Sequence, residues 1–95
     1  MTCTPVRVLC LSGHDPGGGA GIHADIESVA AQGAHALSVI TALTVQDSRN
    51  VRRIEPIDVD LMMEQVGCLL ADGNVAALKI GLLGDAAQVP ALAGL

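Results

Sequence analysis

The sequence predicts an α/β fold: a partial doubly wound, mostly parallel sheet flanked by helices. Three observations carry that expectation. Short apolar, β-branched runs alternate with segments of helical periodicity in the order βαβ(β)αβα. The run from Ala36 to Thr44 is nearly continuous in apolar and β-branched residues, as a parallel strand covered on both faces requires. The stretch SGHDPGGGAGIHAD, from Ser12 to Asp25, turns a strand into a helix through a glycine-rich hinge, the place where α/β proteins gather small-molecule sites.

The elements are expected in this order. Val6, Val8, Leu9 and Leu11 give a first strand at about Arg7 to Ser12, and Ile22, Ile26, Val29 and Ala30 recur at helical spacing in a helix from Ile22 to Gln32, stopped at Gly33. A buried second strand, Ala36 to Thr44, leads into a polar loop from Gln46 to Asn50. Val51, Arg53, Ile54 and Pro56 then suggest a short extended segment at a sheet edge, since proline cannot donate to a ladder. Asp58 offers an N-cap to a helix whose apolar face is Val59, Met62, Met63, Val66, Leu69 and Leu70, ending near Asp72 and Gly73. Both methionines belong to the core on this pattern. Ala76 to Leu82 reads as a third buried strand, and Ala86 to Leu92 as a weak helix interrupted by Pro90. The parallel sheet is unfinished after these elements, and so small a chain buries only ~60% of its unfolded surface. The expectation is an amino-terminal portion of one domain with an open sheet edge, through which copies could self-associate.

In the glycine loop, Gly17, Gly18, Gly19 and Gly21 can take positive φ and let a ligand approach the backbone, beside the unpaired N–H groups of the following helix. The pattern is not a dinucleotide fingerprint, because the G-x-G-x-x-G register from Gly17 and Gly19 demands glycine where Ile22 stands. It is not a Walker A loop either, for no Lys-Ser or Lys-Thr pair follows. His14, Asp15, His23 and Asp25 match no established metal-ligand spacing.

Composition narrows the class further. With 51% hydrophobic and 16% charged residues the chain is too apolar for a disordered tail, while its apolar runs are too short to cross a bilayer. MTCTPVR lacks the charged start and cleavage signal of an exported protein, so a cytoplasmic location is expected. Cys3, Cys10 and Cys68 are odd in number and without C-x-x-C spacing, which favours reduced, mostly structural thiols over a disulfide framework or zinc site. A net charge of −5, with only Arg7, Arg49, Arg52, Arg53 and Lys79 as cations, argues against a nucleic-acid surface, as does the absence of Phe, Tyr and Trp. Arg52 and Arg53 read as a solvated pair. A flat ligand ring would have to pack on aliphatic side chains and glycine backbone.

Gln46 follows the second strand, on the side of the sheet that carries the glycine loop and the end of the third strand. A glutamine amide presents a donor and an acceptor side by side, although a polar residue after a strand is ordinarily a solvated loop position. Asp25 lies about one turn into its helix, where the helix dipole alone would favour a carboxylate. Lys79, inside an apolar strand, is expected to reach outward or pair with a carboxylate, and a phosphate-binding role is left open without support. His35 reads as a strand-edge or partly buried residue.

The run Ser12 to Asp25, followed by AQGAHALSVITALTVQDS from Ala31 to Ser48 and ALKIGLLGD from Ala77 to Asp85, closely resembles the hydroxymethylpyrimidine and phosphomethylpyrimidine kinases of thiamine biosynthesis, members of the ribokinase-like superfamily. The resemblance extends from Arg7 to about Val89 and covers the amino-terminal part of that family's domain. It implies transfer of the ATP γ-phosphate to 4-amino-5-hydroxymethyl-2-methylpyrimidine and then to its monophosphate. It further implies that Gln46 holds the pyrimidine, that Asp25 stands at the aspartate closing the first glycine motif, and that Gly13, Ala20, Thr44 and Leu82 line the pocket. Leu82 departs from the methionine common at that position, a nearly volume-conserving change. His14 and His23 fall at more variable positions. ATP and Mg²⁺ are implied for the intact enzyme, but the family's carboxyl-terminal half supplies the nucleotide site and the catalytic residue. No GTGC or GTGD motif occurs between Met1 and Leu95, so neither Cys10 nor Cys68 inherits that role and this stretch alone is expected to be inactive. Two other readings are a pyridoxal-type vitamin kinase and a non-catalytic fragment that binds a ligand or partner.

Overall fold

The computed structural model describes residues 5–95, so Cys3 lies outside the described part. Within it the elements run β1 (Arg7–His14), α1 (Gly21–Ala31), β2 (His35–Gln46), β3 (Val51–Pro56), α2 (Val59–Asp72), β4 (Ala77–Ile80) and α3 (Gln88–Ala93). The strands form one sheet in the order β3-β2-β1-β4; β1 is parallel to both β2 and β4, and β3 is antiparallel to β2. Parallel neighbours need a crossover, which α1 supplies between β1 and β2, whereas β2 and β3 are joined by a short turn. The α/β class, the flanking helices and the edge position of Val51–Pro56 are as the sequence predicts.

Alternation along β1 sends successive side chains to opposite faces. Leu9 and Leu11, with Leu37 and Val39 of β2, pack against Met62 and Val66 of α2 and Leu92 of α3. Leu9, Leu11, Val39 and Met62 are no more than 1% exposed, and burying each such side chain stabilises the fold by about 1.5–3 kcal/mol. Met63 is partly buried against the same cluster. Cys10 lies between those leucines and opposite Lys79 in the ladder, on the α1 side, where Ile22 and Asp25 are buried. No helix among the described residues is long and apolar enough to cross a membrane.

The structure corrects several boundaries. β1 continues past Ser12 to His14 because its ladder with β2 carries on across a β-bulge, and β2 continues past Thr44 to Gln46 because it pairs there with β3. Ser12 pairs with Ile40 but Gly13 pairs with Ala42, which leaves Thr41 as the extra residue. Gln46 is therefore the last residue of β2, opposite Val51, rather than the first of a loop. The strand expected at Ala76–Leu82 is shorter, Ala77–Ile80, and exposed rather than buried, since β4 occupies the sheet's edge. Leu70, expected on the buried face of α2, is exposed along an open apolar groove with Leu78 and Leu95 beside β4. Pro90 does not interrupt the last helix: it is the third residue of α3, in the first turn, where its missing N–H would have no intrahelical partner. The N-cap at Asp58 forms as expected, its carboxylate accepting from Leu61 N–H at 3.1 Å.

Candidate functional site

A cleft of about 280 Å³ opens where β1 and β2 end, lined by Ser12, Gly13, His14, Asp15, Ala20, Gly21, Thr44, Gln46, Lys79, Gly81 and Leu82. It is a carboxyl-end crevice of the kind open α/β sheets use for ligands. Its size, near the lower end of the ~300–1,000 Å³ usual for small-molecule sites, suits a single ring better than a dinucleotide. Five of the six residues singled out from sequence, Gly13, Ala20, Thr44, Gln46 and Leu82, meet around it. Asp25 is not among its lining residues.

One side of the cleft is built by the glycine loop. Asp15 organises it, with one carboxylate oxygen accepting from Gly17 N–H at 2.9 Å and the other from Gly19 N–H at 3.1 Å, while its carbonyl accepts from Gly18 N–H at 3.0 Å. The Gln46 amide first, then the Gly17 N–H and more weakly those of Gly19 and Ala20, hold the Asp15 carboxyl below its ordinary pKa. Of the four loop glycines only Gly18 and Gly21 take positive φ. Gly21 has a second reason to be glycine: a Cβ there would drive into the Gly13 carbonyl. Ala20 caps α1 without any side-chain hydrogen bond, which leaves the first N–H groups of the helix without a side-chain acceptor beside the cleft.

Asp25 is only 6% exposed and sits beyond the first turn of α1, so the helix dipole is not its explanation. Its partner is Lys79, whose ammonium donates to Oδ1; Oδ2 has no hydrogen-bond partner. Asp25 thus reaches the cleft through Lys79, which does line it. Cys10 lies beside this pair, and burial, then the Asp25 charge, push its thiol up against the opposing effect of Lys79. His23 pairs with Glu27 at 2.8 Å, so Asp15, His23 and Asp25 have three separate partners rather than one shared centre. Arg53 pairs with Glu55 on the exposed β3, Arg52 is exposed, and His35 is exposed at the start of β2. Cys68 is exposed on α2, whereas Cys10 is buried, and both are free thiols.

Thr44 has its hydroxyl committed: it donates to the His14 carbonyl at 2.7 Å, tying the ends of β1 and β2 together. On the opposite wall, Leu82 packs over Gly13. Asp15 and Lys79, which the sequence marks as polar without assigning to the pocket, also line it, as do Ser12 and Gly81, which no motif assigns to it. Their signal was positional only, for each lies within two residues of a strand's carboxyl end.

Residues 15–95 match the family model described as phosphomethylpyrimidine kinase. A hydroxymethylpyrimidine/phosphomethylpyrimidine kinase of Streptomyces coelicolor is 41% identical over 92 residues, 97% of this chain and 34% of that protein. Among solved structures, a phosphomethylpyrimidine kinase from Clostridium difficile superposes with a TM-score of 0.88 at 30% identity, covering 94% of this chain and 38% of that one. The pyridoxal kinase of Bacillus subtilis, in an ADP complex, gives a TM-score of 0.87 at 26% identity over 96% and 35% of the two chains. The chain spans about a third of the length of these relatives.

Proposed function

The chain belongs to the phosphomethylpyrimidine kinase family, and on that premise we propose that it forms the pyrimidine-binding, amino-terminal part of a cytoplasmic enzyme that phosphorylates 4-amino-5-hydroxymethyl-2-methylpyrimidine and its monophosphate in thiamine biosynthesis. The observation that carries this reading is the meeting of Gln46, Gly13, Ala20, Thr44 and Leu82 around one small cleft. In it the Gln46 amide offers its oxygen to the exocyclic amine and an N–H to the neighbouring ring nitrogen. Leu82, Ala20 and the glycine backbone take the ring faces. Asp25 contributes by holding Lys79 at the cleft.

Family membership implies ATP, and the resemblance adds Mg²⁺. The groups lining this cleft do not fit a magnesium nucleotide: Lys79 is paired with Asp25, and both Asp15 oxygens accept loop N–H groups. The nucleotide-binding portion is therefore proposed to lie outside these 95 residues. The exposed Leu78 and Ile80 of β4 support self-association of this chain at that edge.

Calorimetric titration of the chain with 4-amino-5-hydroxymethyl-2-methylpyrimidine and, separately, with pyridoxal tests the reading. The aminopyrimidine is expected to bind more tightly, and Gln46→Leu to weaken it by about 1–3 kcal/mol, roughly five- to 150-fold. The likeness to the Bacillus subtilis pyridoxal kinase keeps a second reading in view. Tighter binding of pyridoxal, with no loss in Gln46→Leu, would replace the first reading by that one.

A further inference from the structure

The segment from Gly81 to Gly84 carries Leu82 into the cleft and is anchored at both ends. Gly81 N–H donates to the Leu11 carbonyl at 2.7 Å. Gly84 N–H donates to the Gln88 side-chain oxygen, also at 2.7 Å. Gln88 is 0% exposed, a rare place for a glutamine unless every polar atom is paired. Here each is: Nε2 donates to the Thr41 carbonyl at 2.8 Å and to the Ile57 carbonyl at 3.0 Å. The Thr41 carbonyl also accepts from Ile57 N–H at 2.9 Å, and the Thr41 hydroxyl donates to the Leu82 carbonyl at 2.5 Å. Thr41 is the bulged residue of β2. The carbonyl of this bulged residue accepts from both Ile57 N–H and Gln88, and the same threonine grips the backbone of Leu82.

We infer that Gln88, which no sequence motif singles out, is a positioning residue that locks the Thr41 bulge and through it fixes Leu82 as the wall against which the ligand ring packs. The ligand part of this inference rests on the function proposed above; the positioning part does not. The hydrogen bonds of Gln88 go to Thr41, Ile57 and Gly84, none of which lines the cleft, so its effect on binding is expected to pass through the Thr41 hydroxyl and the 81–84 backbone to Leu82.

The test uses Gln88→Leu, Leu82→Ala, their double variant and Thr41→Val, the last removing only the hydroxyl that grips Leu82. Two readouts are taken: the methyl resonances of Leu82 in the ligand-free chain, and affinity for 4-amino-5-hydroxymethyl-2-methylpyrimidine. Gln88→Leu and Thr41→Val are each expected to shift or broaden the Leu82 methyl signals while leaving the Gly17 and Gly19 amides in place. Each should weaken the pyrimidine about tenfold, and the double variant should lose no more than Leu82→Ala alone, because the two side chains act in series. A purely structural role would instead give losses that add. Additive losses, or unchanged Leu82 methyl signals in Thr41→Val, would overturn the inference. Should Gln88→Leu fail to fold, Thr41→Val decides it. Should the wild-type chain not bind the pyrimidine, the proposed function fails while the methyl signals still decide the positioning role.

Discussion

On one side of the cleft, the glycine loop hangs by its N–H groups from Asp15, a carboxylate at the surface, whereas on the other side the 81–84 segment hangs from Gln88, a side chain sealed in the interior. The first arrangement uses an ionised group in water, where each hydrogen bond competes with solvent and contributes little net stability. The second uses a neutral amide with no solvent to fall back on, where losing one partner leaves several buried groups unsatisfied. The anchoring of one side is therefore expected to yield at small cost, whereas that of the other, on which the proposed ring packing depends, is expected to stay fixed.

The largest expected difference between the walls comes from adding one methyl group to each. A Cβ at Gly84 would lie 2.7 Å from the Thr41 carbonyl oxygen and 2.9 Å from Pro56, both backbone-anchored. A Cβ at Gly17 would meet only an Asp15 carboxylate oxygen at 3.3 Å, the free end of a rotatable side chain. Gly84→Ala is expected to destabilise the chain by about 1–3 kcal/mol through overpacking, and Gly17→Ala to stay within about 0.5 kcal/mol of the parent. Urea unfolding of the two variants side by side checks this, and equal midpoints would erase the proposed contrast.

That asymmetry also explains what could be read from sequence. The glycine loop was legible because its chemistry is local: Asp15, Gly17 and Gly19 are neighbours in the chain, and glycine runs advertise a turn. The core of β1 and β2 was legible for the same reason, since Leu9, Leu11, Leu37 and Val39 declare themselves by type. Gln88 was not, because its partners Thr41 and Ile57 lie 47 and 31 residues away and nothing in a weak helix of Ala86 to Leu92 marks its glutamine as buried. The bulge at Thr41 was invisible as well: nothing in the run SVITALTV distinguishes a skipped residue from a paired one. Gln46 as a strand residue was equally hidden, because its place in β2 comes from pairing with Val51 of β3 across a second register shift, between Val45 and Gln46. β4 misled for another reason. Its residues read as core, but burial depends on what lies beside a strand, and an apolar edge strand has the same sequence as a central one.

A smaller effect separates the walls when Asp15 is replaced. Asp15→Ala removes the acceptor for Gly17 and Gly19 N–H and the group beside the Gln46 amide. Amide hydrogen exchange at Gly17 and Gly19 is expected to accelerate, while Gly81 and Gly84, bonded to Leu11 and Gln88, keep their protection. Loss of protection at Gly84 to the same degree would mean that the two walls are one cooperative unit.

The smallest effect is one of pH. The carboxyls of Asp15 and Asp47 are both held below their ordinary range, Asp15 chiefly by Gln46 and Gly17, Asp47 by the N–H groups of Arg49 and Asn50, each at 2.8 Å. A carboxyl whose folded-state pKa is depressed binds its proton more readily in the unfolded chain. Its stabilisation is thus complete above the ordinary carboxylate range and disappears as the pH falls through the depressed folded-state value. Gln88 has no proton to gain in this range, so the 81–84 segment should not respond directly. An NMR titration from about pH 6 to about pH 2 is therefore expected to move the Gly17, Gly19, Arg49 and Asn50 amides along acid transitions lying below that of an unpaired aspartate. The Gly84 amide should stay still until the chain unfolds. If Gly84 moved together with Gly17 while the fold was intact, the surface carboxylate and the buried amide would be coupled, and the view of one adjustable wall facing one fixed wall would have to be given up.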